Sequence, residues 1–238
     1  MKMQAKNNYP FSPIGIIHSC FKEKFGIPRQ PRLVQEVTAT LELLPPYNRA
    51  EALEGLEAFT HIWLVFVFHA LEAGAWHPTV RPPRLGGNQR VGVFASRSMF
   101  RPNPIGLSAV ELIGIDSAGK SPILHLRGID LLDGTPVIDI KPYIPYADCI
   151  DDARGSYANS APQAKLQVRF SATAAQQLAA RREQHPQLQA MIEKLLELDP
   201  RPAYRQENTR RDSFGMRLYD FDVKWTVQDD WVIVEAIV

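Results

Sequence analysis

Residues 92–107 read GVFASRSMFRPNPIGL. Pro102 and Pro104 fix φ and remove two amide donors, so this stretch is expected to be a stiff, non-helical loop. Arg97 and Arg101 ride on that support. A guanidinium held still suits a bidentate grip on a carboxylate or phosphate. The plainer alternative is a structural loop whose arginines pair with Asp130, Asp133 or Asp139. Two prolines around one asparagine exceed what a chain needs merely to turn, which favours a binding loop.

The surrounding charge is uneven. Residues 73–110 hold Arg81, Arg84, Arg90, Arg97 and Arg101 and no acid, whereas residues 130–152 hold six aspartates against Lys141 alone. Net charge is only +1, so the balance as a whole selects no partner. The segregated blocks fit either an anion-steering patch or a solvated face laced with cross-strand ion pairs.

Two further segments carry usable side chains. Residues 199–205, DPRPAYR, form a second proline-stiffened stretch. Tyr204 there can stack on a base while Arg205 and its neighbours Arg210, Arg211 and Arg217 neutralise phosphates; the alternative is a plain connector. Residues 130–136, DLLDGTP, contain an Asp-Gly turn. Its acid can accept from ribose hydroxyls, although from the sequence alone a plain hairpin turn is the better reading. Of the six histidines, His61 and His69 fall at opposite ends of one apolar run, too far apart on a strand to share a metal. No metal site is expected. GxGxxG, GxxxxGK[ST], HExxH and GxSxG are all absent, which leaves dinucleotide, P-loop, zincin and α/β-hydrolase readings unsupported.

These residues need a scaffold, and the composition provides for one. The chain has 238 residues, 45% of them hydrophobic and 22% charged, enough for one large or two modest cores. Two cysteines, Cys20 and Cys149, in no CxxC spacing imply free thiols in a reducing compartment. The start lacks a signal-like apolar region. The longest apolar run, about seven residues, falls far short of the roughly 20 that cross a bilayer. A soluble, cytoplasmic protein is expected.

Strands are expected at 14–19, 33–44, 61–69, 90–96, 107–115, 123–129 and 137–140, with a short helix at 49–59. The run at 61–69 is apolar throughout, so it reads as a strand buried on both faces. The connections are too short for βαβ crossovers, which argues for a mostly antiparallel barrel over a doubly wound sheet. Residues 151–162 read as a linker. Beyond them come a strand at 165–170, helical sequence at 172–198 restarted at Pro186, and a hairpin of 214–227 with 231–237. The expected domains are 1–152 and 163–238. The fold class is mainly β: a small N-terminal barrel with a small α+β C-terminal domain.

Segments 25–33 (FGIPRQPRL), 59–69 (FTHIWLVFVFH), 81–107, 130–146 (DLLDGTPVIDIKPYIPY) and 199–205 resemble the TsaA/TrmO family, in order and over nearly the whole chain. The resemblance implies an S-adenosylmethionine-dependent tRNA methyltransferase acting on N6 of N6-threonylcarbamoyladenosine, beside the anticodon. It implies a β-barrel rather than a Rossmann-like methyltransferase fold, and a homodimer. Carried over by motif, the cofactor is expected against Pro28, Arg29, Gln30, His69, Ala70, Arg97, Leu107, Leu132, Asp133, Gly134 and Thr135. Arg101, Tyr204 and Arg205 are the expected substrate contacts. Against the family's usual ATRSPFRPNPI, Ser96 replaces Thr and keeps the hydroxyl, while Met99 replaces Pro and loosens one position. Asp133, Asp139 and Tyr143 are available as a proton acceptor, with no choice among them. The competing reading is a non-catalytic RNA- or nucleotide-binding barrel.

Overall fold

The computed structural model describes residues 9–72, 74–202 and 213–238. Strands β1 (Gly15–Ser19), β2 (Thr38–Leu43), β3 (His61–Val67), the short pair β4 (Thr79–Val80) and β5 (Val91–Gly92), β6 (Ile105–Asp116), β7 (Ile123–Arg127) and β8 (Pro136–Pro142) make up the first part. Six of them close into an antiparallel barrel in the order β1-β2-β7-β6-β3-β8. The seam is short, Gly15 against Val137 and Ile16 against Pro136. A four-residue helix, α1 (Pro145–Asp148), follows.

The second part holds β9 (Gln167–Phe170), helices α2 (Ala172–Arg181) and α3 (Leu188–Glu197), then β10 (Ser213–Leu218), β11 (Phe221–Gln228) and β12 (Trp231–Ile237). The sheet order is β10-β11-β12-β9, with β9 and β12 parallel. Ser171 caps α2 by accepting from the Ala174 amide. Helix α3 buries Leu188, Met191, Ile192, Leu195 and Leu196, the i, i+3, i+4 stripe legible in the sequence.

Strand β3 departs from its expected burial. Ile62, Leu64 and Phe66 fill the barrel, but Trp63, Val65 and Val67 are only half-buried. A closed barrel has one interior, so alternate residues must face outward however apolar they are. Trp63 finds partial cover against Tyr143, ring centroids 5.7 Å apart.

Four element boundaries also differ from expectation. Gly55, at φ 81°, breaks the expected helix at 49–59 into two 3-10 turns, Ala50–Leu53 and Leu56–Ala58. The strand expected at 90–96 stops after Gly92 and turns into Val93–Ala95. Strand β2 starts only at Thr38, after a loop in which Arg32 has φ 65°. The strand expected at 214–227 is two strands, β10 and β11, folded at Tyr219, which has φ 53°.

The two parts share one hydrophobic core, running from Ile17 and Phe21 through Met191 to Trp225 and Val234. Phe21 bridges Leu218, and the Tyr219 amide donates to Cys20 O at 2.7 Å. The segment between β1 and β2, which leads to Pro28, is therefore seated on the C-terminal sheet. The stretch at 151–162, read as a linker, is tied across the molecule: Tyr157 Oη donates to Ala95 O at 3.0 Å and Arg84 Nη2 donates to Ser160 O at 2.6 Å.

Candidate active site at the barrel mouth

Antiparallel pairing puts the C-terminal end of β3 beside the N-terminal end of β6, Val67 opposite Ile105. The same pairing brings the start of β8 alongside, Phe66 opposite Val137. The loops at these ends carry His69, Ala70, Arg97 and the turn at 132–135, so sheet closure gathers this part of the expected cofactor set at one mouth. Ser108 and Gly106 sit on the inward face of β6. A Cβ at Gly106 would lie 2.2 Å from Phe66 Cζ, so the glycine makes room for that ring.

The loop at 93–104 owes its shape to more than its prolines. Arg101 Nη1 donates to Ser96 O at 2.7 Å and to Val93 O at 3.2 Å. Ser96 Oγ donates to Val93 O at 2.8 Å and accepts from the Ser98 amide at 3.3 Å. Arg101 thus braces the loop that displays Arg97, and it lies 5.7 Å from the centre of the Phe94 ring. Phe94 itself is 75% exposed and Leu107 51%.

Arg97 is exposed, and its Nη1 donates to Gln30 Oε1 at 2.6 Å. This contact joins two segments 67 residues apart. Burial pulls the Arg29 guanidinium down and the charge of Asp199 pushes it back up, so the DPR stretch lies within electrostatic reach of the same loop. Exposed His69 is close to the turn at 132–135: its Nε2 lies 3.9 Å from the place of a Gly134 Cβ. Ala70 is exposed next to it and Pro28 is buried behind Arg29. Gly134 has φ 77°, a left-handed turn position. Thr135 is buried and donates through Oγ1 to Leu132 O at 2.6 Å. The turn is latched to β1 through Gly134 N to Ile17 O at 2.8 Å.

The aspartates divide by partner. Asp133 accepts from the Ser19 amide at 2.9 Å and pairs with Lys22 at 2.7 Å, sharing a shallow cleft with His18, Thr40 and Tyr219. Asp139 pairs with Lys141 at 2.9 Å. Asp130 accepts from Ser108 Oγ at 2.7 Å. Among the described residues no ion pair joins the arginine block to the aspartate block. Ser108 entered the sequence reading only within a strand, and Asp130 only as a turn residue and a possible ion-pair partner of the arginines. The one available signal was a serine at an inward register of β6. Tyr204 and Arg205 lie outside the described residues. Among those described, no group of three His, Cys, Asp or Glu is placed to hold a metal, and no helix is long and apolar enough to cross a membrane.

Known proteins are similar to this chain over nearly its whole length. The family model for the tRNA-methyltransferase O N-terminal domain matches residues 16–149, and that for the TrmO C-terminal domain matches residues 163–238. The Escherichia coli tRNA (adenine(37)-N6)-methyltransferase is 52% identical, over 94% of this chain and 95% of its own length. A Pseudomonas aeruginosa protein named a putative S-adenosylmethionine-dependent methyltransferase is also 52% identical, over 90% of each chain. The crystal structure of TrmO from Pseudomonas aeruginosa superposes with a TM-score of 0.80 at 42% identity, covering 97% of this chain and 98% of the other.

Proposed function

The chain belongs to the tRNA-methyltransferase O family, and we propose from that premise that it methylates N6 of adenine 37 in tRNA, the acceptor being the threonylcarbamoyl form of that base. The activity is S-adenosylmethionine-dependent methyl transfer, as the names and full-length cover of its relatives support. The observation in this molecule that carries the reading is the Arg97–Gln30 contact, which unites two distant cofactor segments at the mouth where His69 meets the Gly134 turn.

The residues at the mouth fit the cofactor's chemistry. Arg97 and Gln30 suit its carboxylate, the exposed faces of Phe94 and Leu107 suit its purine, and the turn at 132–135 lies alongside with its Asp133, Gly134 and Thr135 amides bonded within the protein. Pro28, Arg29, His69 and Ala70 complete the wall in this assignment. Bound cofactor supplies an electrophilic methyl on a positively charged sulfur. The protein's share is to hold that methyl and the acceptor nitrogen in line, a positioning effect that accounts for much of such a rate. Arg101 serves this by stiffening the loop. Tyr204 and Arg205 are assigned to the anticodon loop by base stacking and phosphate pairing. A homodimer is supported by the outward apolar residues Ile105 and Ile113 of β6, 36% and 45% exposed in one chain. A tRNA substrate fits a cytoplasmic protein.

The test is incubation of purified protein with labelled S-adenosylmethionine and two tRNA pools, with and without threonylcarbamoyladenosine. Label should enter only the modified pool, at N6 of that nucleoside by nuclease digestion and mass spectrometry. Binding of cofactor and tRNA with no label in either pool would instead favour the non-catalytic barrel.

A further inference from the structure

The acceptor nitrogen carries a carbonyl substituent, so its lone pair is delocalised and its proton must go somewhere as the new bond forms. Four groups can be compared, of which Tyr143 falls at the opposite end of β3 from the mouth, its amide bonded to His61 O. Asp133 commits one oxygen to the Ser19 amide and the other to Lys22 Nζ, at 2.9 and 2.7 Å. Asp139 commits one to the Ile140 amide and the other to Lys141 Nζ, both at 2.9 Å. Tyr143 packs its ring on Trp63 and His61, on the outside of the barrel. Asp130 differs from all three. Its Oδ1 accepts a neutral hydroxyl, Ser108 Oγ, and no lysine touches it.

Its placement matches the task. Asp130 stands two residues before Leu132, in the connection from β7 to the turn that faces His69. Ser108 is 1% exposed on the inward face of β6, near the end that forms the mouth. The charged group that acts on the Asp130 carboxylate is Arg97, itself bonded to Gln30. From this geometry we propose that Asp130 is the proton acceptor for the methylated nitrogen, with Ser108 holding its carboxylate in place. The inference rests on the methyl-transfer reading above.

The step balances. The nitrogen gives its proton to the Asp130 carboxylate, its electron pair takes the methyl from the sulfonium, and the carbon–sulfur electrons leave with an uncharged thioether. The carboxyl then returns the proton to water. Burial pushes the Asp130 carboxyl up to about 6, against the Ser108 hydrogen bond and the Arg97 charge, which pull it down. That brings its basicity close to the working pH, where a general base is most effective.

The experiment compares full-length wild type, Asp130→Asn and Ser108→Ala. Single-turnover methylation of threonylcarbamoyl-bearing tRNA is followed between about pH 5 and pH 9, with cofactor affinity by calorimetry and a thermal midpoint on each protein. The wild-type rate should fall on the acid side of about 6. Asp130→Asn should be slower by about 100-fold or more and lose that limb, with cofactor affinity within about twofold of wild type. Ser108→Ala removes a bond that lowers the acceptor's pKa, so its acid limb should move to higher pH. A limb that stays put or moves down in Ser108→Ala overturns the assignment, even if Asp130→Asn does not fold. So does Asp130→Asn turning over at nearly the wild-type rate, or losing cofactor affinity as steeply as rate. Wild type that binds cofactor yet methylates neither tRNA pool would overturn the parent reading and this inference with it.

Discussion

Arg97 and Asp130 show how one residue's partners set its use. Arg97 has a neutral amide oxygen as its bonded neighbour, so it retains donors for an incoming anion. Arg97→Ala should therefore weaken S-adenosylmethionine at least tenfold, about 1.4 kcal/mol, by calorimetry, with little change in the thermal midpoint. Asp130 should behave in the opposite way. Its folded pKa is about 6 against an ordinary 3.8. An acid raised on folding destabilises the native state once pH exceeds both values, and the penalty fades as pH falls through the folded one. Asp130→Asn should accordingly stabilise the protein near pH 7.5, by about 1 kcal/mol after allowance for partial exposure, and by less near pH 4.5. Loss of rate with gain of stability marks a group kept for chemistry. The sequence made Arg97 conspicuous because it sits on a loop that Pro102 and Pro104 stiffen. It left Asp130 among six aspartates, since what sets it apart is the Ser108 hydroxyl, which only the fold brings to it from β6.

At the scale of elements, alternation and punctuation were enough to mark the barrel strands, because a strand with one inward face must alternate. They failed where a single glycine or tyrosine adopts positive φ and interrupts a run, as at Gly55 and Tyr219. The apolar run of β3 misled in a different way: outward Val65 and Val67 are as apolar as inward Leu64. The pairing of β3 with β6 also makes a sharp demand. Gly106 lies under the Phe66 ring, and an added methyl has 2.2 Å where it needs nearly 4 Å. Gly106→Ala should cost about 1–3 kcal/mol in urea denaturation. It should also lower methylation, because the displaced ring adjoins the residues at the mouth.

Across the whole molecule, the sequence marked a second part but not how it is joined. Composition changes near residue 150 and suggests a flexible join, whereas the hydrophobic core continues through both parts. Such continuity depends on which faces meet, and no periodicity within either part encodes that. Asp199 and Arg201 strengthen the junction with a bidentate pair at 2.7 and 2.9 Å, both side chains at most 7% exposed. Asp199→Ala would remove the two charged hydrogen bonds that Asp199 accepts from this buried guanidinium. It should destabilise the protein by about 3–5 kcal/mol in calorimetry, and it should also disturb Arg29, on which the Asp199 charge acts.

The thiol of Cys20 lies at the join between the two parts, 1% exposed, with Sγ 3.9 Å from Met191 Sδ on α3. Burial pushes it up to about 12, so it presents almost no thiolate at neutral pH. Cys149 is exposed. The chain therefore carries its own stopwatch and its own start signal. A thiol reagent should modify Cys149 first, slowed by the Asp151 carboxylate that raises its pKa, and Cys20 only when the barrel and the C-terminal sheet part. The lag between the two reads the lifetime of the joined state, and a tRNA that grips both parts should lengthen it.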